Sequence, residues 1–202
     1  MISFPFVTKK AYDSMLSLFQ NALKQVNLEK RAQEKVLRMQ KSFLCAVKWA
    51  TEHGDAAVIR VIECSDEKTL LVTLRTYLDP YERTGVEFKI HSIDYGLITY
   101  NDSFLDASCS PTRNAEIIDI GGRINCGYGS ILMREFINYC RCNYISYIYG
   151  RLSPRDIYDK EDTEHYSRMI HFYTKHGFEI LDIPESQWKK IKLNLQSDFK
   201  HK

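Results

Sequence analysis

No stretch of this 202-residue chain approaches the about 20 consecutive apolar residues that a membrane-spanning helix needs. The first residues, MISFPFVTKK, lack a basic start followed by an apolar core, so they do not read as a secretory leader. The six cysteines, Cys45, Cys64, Cys109, Cys126, Cys140 and Cys142, have no framework spacing, and reduced thiols in a cytoplasm are expected. Metal chemistry is not expected either. Cys140 and Cys142 share a helix pattern that points them ~200° apart, and the acidic stretch SPRDIYDKED (153–162) lacks calcium-loop spacing. There is no GxGxxG and no GxxxxGK[ST], which argues against a dinucleotide fold of the usual type and against a nucleotide triphosphatase.

What remains has the size and composition of one soluble domain, or of one domain with an extra layer, long enough to bury roughly 70% of its unfolded surface. Charge is uneven. Residues 1–50 hold nine Lys/Arg and three Asp/Glu, a net +6, while the whole chain carries +2. A solvated helix face explains that excess, and without a helix-turn-helix or an aromatic RNA-binding signature nucleic acid is not the expected partner. Over 9–52 apolar residues recur at three- and four-residue steps. Tyr12, Met15, Leu16, Phe19, Leu23 and Val26 form one stripe, and Ala32, Val36, Phe43, Val47 and Ala50 form a second. With Asn27 between them they predict a helical hairpin ending at Gly54, one long bent helix being the alternative.

Beyond residue 55 the texture changes. AAVIRVIEC (56–64) and LLVTLRTYL (70–78) predict a hairpin, VEFKIHSI (86–93) a half-buried strand, and YGLITY (95–100) another. Residues 101–114 read as loop. From 115 the order is strand (AEIIDI), helix (130–143), strand (144–152), helix (164–177) and strand (FEILDI), with a polar tail from 189. Such alternation implies crossovers onto a shared sheet.

Gly127-Tyr128-Gly129 falls between a predicted strand and a predicted helix. Glycine lets the backbone approach a ligand, and a helix N-terminus presents unpaired N–H groups and the positive end of a dipole, so phosphate chemistry fits there. Ser130 is placed to cap the helix or touch the ligand. GxG by itself favours a plain turn.

Together with Phe172-Tyr173-Thr174-Lys175-His176-Gly177-Phe178, about 40 residues downstream, this segment resembles the GNAT superfamily of acyl-CoA N-acyltransferases over residues 115–182. That family carries [RQ]xxGx[GA] and then FYxKxGF. The Arg/Gln slot here is Ile124, with Arg123 one residue earlier, and the family's asparagine at the last helix falls at Tyr166. The resemblance implies an α/β (α+β) GNAT-like fold, a mixed, mostly antiparallel sheet flanked by helices, over 55–202. A helical extension over 1–54 is expected to pack on it. It implies acetyl-CoA as co-substrate and a primary amine as acceptor, with direct attack on the thioester. N–H groups from Asn125 through Cys126, Gly127, Tyr128 and Gly129 to Ser130 would grip the pyrophosphate, with Arg123 and Tyr166 near them. Ile120 would pair with the pantetheine amides, and a splayed strand at 144–149 would leave room for the thioester. Tyr173 corresponds to the acid that protonates the departing thiolate.

Glu116 and Asp119 are the candidate bases. Strand side chains alternate, so they point to opposite faces and only one can face the cleft, Glu116 being preferred. A carboxylate exposed at the strand edge is the alternative for either. Cys126 as an acyl-carrying nucleophile is not expected, for want of a histidine partner. The acceptor pocket would be built from the N-terminal helices and the 79–85 and 101–114 loops. The competing expectation is a non-catalytic fold relative whose basic helices bind a partner or form a homodimer.

Overall fold

The structure is a computed structural model that describes residues 9–52, 56–64, 69–78, 81, 83–94, 97–98, 102–123, 125–152, 164–184 and 188–195. Two compact units divide it, residues 1–44 and 45–202.

The first unit is helical. Helix α1 runs unbroken over Lys9–Glu52, so one helix replaces the expected hairpin. The physical reason is composition: residues 9–52 contain neither glycine nor proline, and a lone Asn27 costs too little helix propensity to break it. The expected stop at Gly54 lies outside the described residues.

The second unit is a nine-stranded sheet. Its strands are β1 (Ala56–Glu63), β2 (Thr69–Leu78), β3 (Thr84–Asp94), β4 (Leu97–Ile98), β5 (Ser103–Ser110), β6 (Asn114–Gly122), β7 (Tyr147–Leu152), β8 (Glu179–Asp182) and β9 (Lys189–Asn194). Helix α2 (Tyr128–Cys142) links β6 to β7, and α3 (His165–Lys175) lies between β7 and β8. The strand order is β1-β2-β3-β5-β6-β7-β9-β8, with β4 paired to β3. Every ladder is antiparallel except β6–β7, so the mixed, mostly antiparallel sheet flanked by helices is the observed fold class.

Two strands lie where the sequence reads as loop or tail. In β5 the positions facing the core are Leu105, Ala107 and Cys109, which alternate correctly but are mostly small. In β9 three lysines, Lys189, Lys190 and Lys192, flank Ile191, which hides the period of two. Of the expected 95–100 strand, only Leu97–Ile98 is described.

Helix α2 buries Tyr128, Leu132, Met133, Phe136, Ile137 and Cys140, the three- and four-residue steps of a single face. That face lies on Val72, Phe88, Leu105, Ala107, Ile117 and Ile148 of the sheet. Phe88 meets Phe136 edge-on with centroids 6.0 Å apart. On the opposite face, the end of α1 within the second unit contributes Ala46 and Trp49, which pack with Leu71 and Ile93. No described helix is long and apolar enough to cross a membrane.

Phe136 is fully buried between α2 and β3. Phe136→Ala should therefore cost about 3–5 kcal/mol of stability, a cavity penalty added to lost transfer energy. The measurement is urea unfolding of the purified chain, in which the midpoint should fall while the slope stays unchanged.

Candidate functional site

The site begins where β6 leaves β7. Their parallel ladder covers only Asn114–Ile117 against Tyr147–Gly150, while β6 continues to Gly122. At that point β6 also carries an extra residue: Asp106 pairs with Asp119 and Ala107 with Ile117, which leaves Ile118 as a bulge, 60% exposed. A bulge bends its strand and sharpens the local twist, so the strand swings out as its parallel partner ends.

The free end of β6 is fastened from the other side. Arg123 places its Nε 3.0 Å from Oδ1 of the buried Asp102. The Arg123 backbone N–H donates to Asp102 O at 2.9 Å and to Ser103 Oγ at 3.2 Å. The other oxygen of Asp102 accepts the Ser92 N–H at 2.7 Å and the Ser92 hydroxyl. Gly122, at φ +124°, runs so close to Ser103 that a Cβ would strike it. One buried carboxylate thus ties the exit of β6 to β3 and β5.

After Arg123 the chain turns through Asn125 (φ +61°) and Gly127 (φ +75°) into α2. Gly127, not Ser130, is the cap residue, and no side chain bonds the cap. Its carbonyl takes the N–H groups of Ser130 at 3.1 Å and Ile131 at 3.2 Å. Ser130 is the third residue of the helix, which corrects its expected capping role. Around Gly127 there is open space where a side chain would stand. At Gly129 the opposite holds, because a Cβ there would lie 3.3 Å from the Phe172 ring of α3.

Between this turn and α3 lies a cleft of about 590 Å³. Ile120, Arg123, Asn125, Gly127, Gly129 and Ser130 line one side, and His171, Phe172, Tyr173 and Lys175 of α3 line the other. Tyr173 is 5% exposed and packs edge-on against Phe172 and Phe178, with centroids 5.2 and 5.6 Å away. Three expected contact residues are not among those that line the cleft. Cys126 is exposed in the turn, Tyr128 buries its ring in the core, and Tyr166 packs on the core and contacts Lys189.

The carboxylates occupy the sheet. Ser108 pairs with Glu116 and Asp106 with Asp119, and since Asp106 and Ser108 are two residues apart on β5, Glu116 and Asp119 share one face. This corrects the expectation of opposite faces; the bulge at Ile118 is the reason. Glu116 Oε2 accepts the Tyr149 hydroxyl at 3.2 Å and faces Arg83 Nη1 at 3.4 Å. Burial foremost, and then the charge of Glu116, pushes the Tyr149 phenol up, so it stays a donor.

Sequence reasoning missed Asp106. It stands in a row that crosses four strands, Arg75, Glu87, Asp106 and Asp119. Burial, then the charges of Glu87 and Asp119, pushes its carboxyl up, opposed by Lys89. Its Oδ1 is buried without a hydrogen-bond partner among the described residues. Reading SFLDASC as a strand would have found it. Among the described residues no three His, Cys, Asp or Glu side chains gather as a metal site.

No family model matches the chain. An uncharacterized Bacillus subtilis protein, YocC, is 35% identical over 74 residues, which is 37% of this chain and 41% of that protein. The chain thus matches less than half the length of this curated relative. Among solved structures, a GNAT-family acetyltransferase from Staphylococcus aureus Mu50 is similar over 55% of this chain and 68% of its own, at 14% identity and a TM-score of 0.42. A GNAT-family acetyltransferase from Elizabethkingia anophelis, with acetyl-CoA bound, is similar over 61% of this chain and 98% of its own, at 13% identity and a TM-score of 0.42.

Asp106 yields a stability prediction. Its pKa is raised only in the folded state, so the folded protein holds that proton more tightly than the unfolded chain does. The charged carboxyl therefore costs stability above its raised pKa, and the cost is relieved as pH falls toward the ordinary value of 3.8. Asp106→Asn should raise the melting temperature at neutral pH, and the gain should shrink as the pH approaches about 4. Paired thermal melts across that range check it.

Proposed function

We propose that the chain is an acyl-CoA-dependent N-acetyltransferase with a GNAT-like fold, acting on a primary amine. One observation carries the reading: a single cleft brings the turn at the start of α2 together with Tyr173 of α3, at the point where β6 parts from β7. Residues 55–202 are the transferase domain in this reading, and 1–54 are a helical extension.

The residues suit coenzyme A. A pyrophosphate needs backbone it can approach and N–H groups with no competing acceptor. The turn offers open space at Gly127, a helix start whose cap is not filled by a side chain, and the positive end of the α2 dipole. Arg123 adds a guanidinium at the cleft wall, held in place by Asp102. Beyond the bulge, β6 has no β7 partner in the ladder, so the edge near Ile120 is where an extended amide chain would add as a strand.

Acetyl-CoA supplies a thioester, whose acyl carbon is open to an amine lone pair. The protein has two further tasks. An amine must be stripped of a proton, and Glu116 and Asp119 are the carboxylates for it, on the sheet face they share with Asp106 and Ser108 and outside the lining of the cleft. A departing thiolate must receive a proton, and the Tyr173 hydroxyl in the cleft wall is the donor. Burial of Tyr173 against Phe172 and Phe178 fixes its ring, so little entropy is lost in aiming the hydroxyl.

Coenzyme A should raise the melting temperature of the chain, because a ligand that binds the native state adds stability by mass action. Gly129→Glu should abolish the shift, since it drives a charged side chain at Phe172 and at the phosphate site. Absence of any shift in the parent protein at millimolar coenzyme A would sink the assignment.

With an acceptor found from a panel of polyamines, amino acids and N-terminal peptides, Tyr173→Phe should lower kcat by ~10²–10⁴-fold. The affinity for acetyl-CoA should hardly change. Full turnover in Tyr173→Phe would make the tyrosine a packing residue.

A further inference from the structure

Helix α1 carries an apolar repeat of its own. Leu16, Leu23, Leu37 and Leu44 recur at intervals of seven or fourteen residues, and the position between Leu23 and Leu37 is Lys30. Between the leucines, at alternating three- and four-residue steps, stand Phe19, Val26, Gln33 and Gln40. This is a spacing of 3.5 residues across four heptads, apolar at six of its nine positions, with Lys30, Gln33 and Gln40 at the other three. It differs from the period of about 3.6 that suits a helix lying on a globular core. A strict 3.5-residue seam keeps facing a partner only when that partner is another helix and the two wind around each other.

The leucines of the seam are 45–66% exposed. Counting the flanking Met15, Val36 and Phe43, nine large apolar side chains on this face are 45–66% exposed. At ~60–120 Å² of apolar surface for each such side chain, they amount to roughly 500–1,100 Å². The largest patch of an ordinary monomer is about 300–600 Å², and one side of a standard interface is about 800 Å².

We infer that α1 is a homotypic coiled-coil segment, and that the occupant of its apolar face is α1 of a second copy of this chain. The area is of the size that one partner buries in a standard interface. The repeat also explains why the helix has no break: a seam of four heptads needs an uninterrupted rod. Lys30 is the one charged residue among the seam's leucine positions. A single polar residue there costs stability and restricts register and the number of strands. A bilayer is the weaker candidate, because Gln33 and Gln40 would sink amides into its apolar layer, whereas a coiled-coil seam tolerates them.

Sedimentation equilibrium of the full chain across micromolar concentrations tests the inference. A dimer, or a larger closed assembly, is expected. Leu23→Glu combined with Leu37→Glu should give a monomer. Both side chains are exposed, so the sheet unit should keep its cooperative melt. Lys30→Leu should tighten the assembly by about tenfold or more, a response that a solvated face would not show. A parent chain that is monomeric throughout overturns the inference, whether or not it binds anionic vesicles. So does an assembly that survives the double glutamate variant.

Discussion

One extra residue organises the site. Ile118 has no partner on β5, and it follows directly on Ile117, the last residue of β6 that pairs with β7. A strand hydrogen-bonded on both sides resists bending; one released on one side and bulged on the other does not. The two defects coincide, so the bend is concentrated there. The exit of β6 then needs a new anchor, and the buried Asp102 supplies it through Arg123 and Ser92. The cleft, the turn that opens α2 and the single acidic face of the sheet all depend on this arrangement.

The elements around the bend divide the work by rigidity. The α2 face is fully packed, with Leu132, Met133 and Phe136 entirely buried, so the helix start cannot drift. Across the cleft, α3 touches α2 where Gly129 allows the Phe172 ring to approach. A side chain at residue 129 would hold the two helices apart. The glycine pair in the sequence therefore serves two purposes. Gly127 takes the left-handed turn into open space, and Gly129 permits a close helix contact.

Much of this was legible in the sequence, and what was not has identifiable causes. The period of α2 and α3 and the strand–helix alternation after residue 115 carry strong patterns, because Leu132, Phe136 and Cys140 must all reach one sheet face. Strand β5 was hidden because α2 lies close over it, which favours the small residues Ala107 and Cys109. Strand β9 was hidden by lysines, three of which flank Ile191. The bulge left no mark at all: Ile118 looks like any strand residue, and only the pairing on both sides reveals that Glu116 and Asp119 face the same way. The turn at 125–130 was legible because glycine and asparagine tolerate positive φ.

Strand β9 has a consequence for how the molecule is made. It lies between β7 and β8, although it is the last described strand in the chain. While the polypeptide is being synthesised, β7 has only the four-residue ladder with β6 to hold it, and β8 has no neighbour in the sheet. Both find their antiparallel partner only once residues 189–194 have emerged. The half of the sheet beyond the cleft is thus assembled only after residues 189–194 have been synthesised. Until then its strands present unpaired edges, which are open to mispairing and to chaperones.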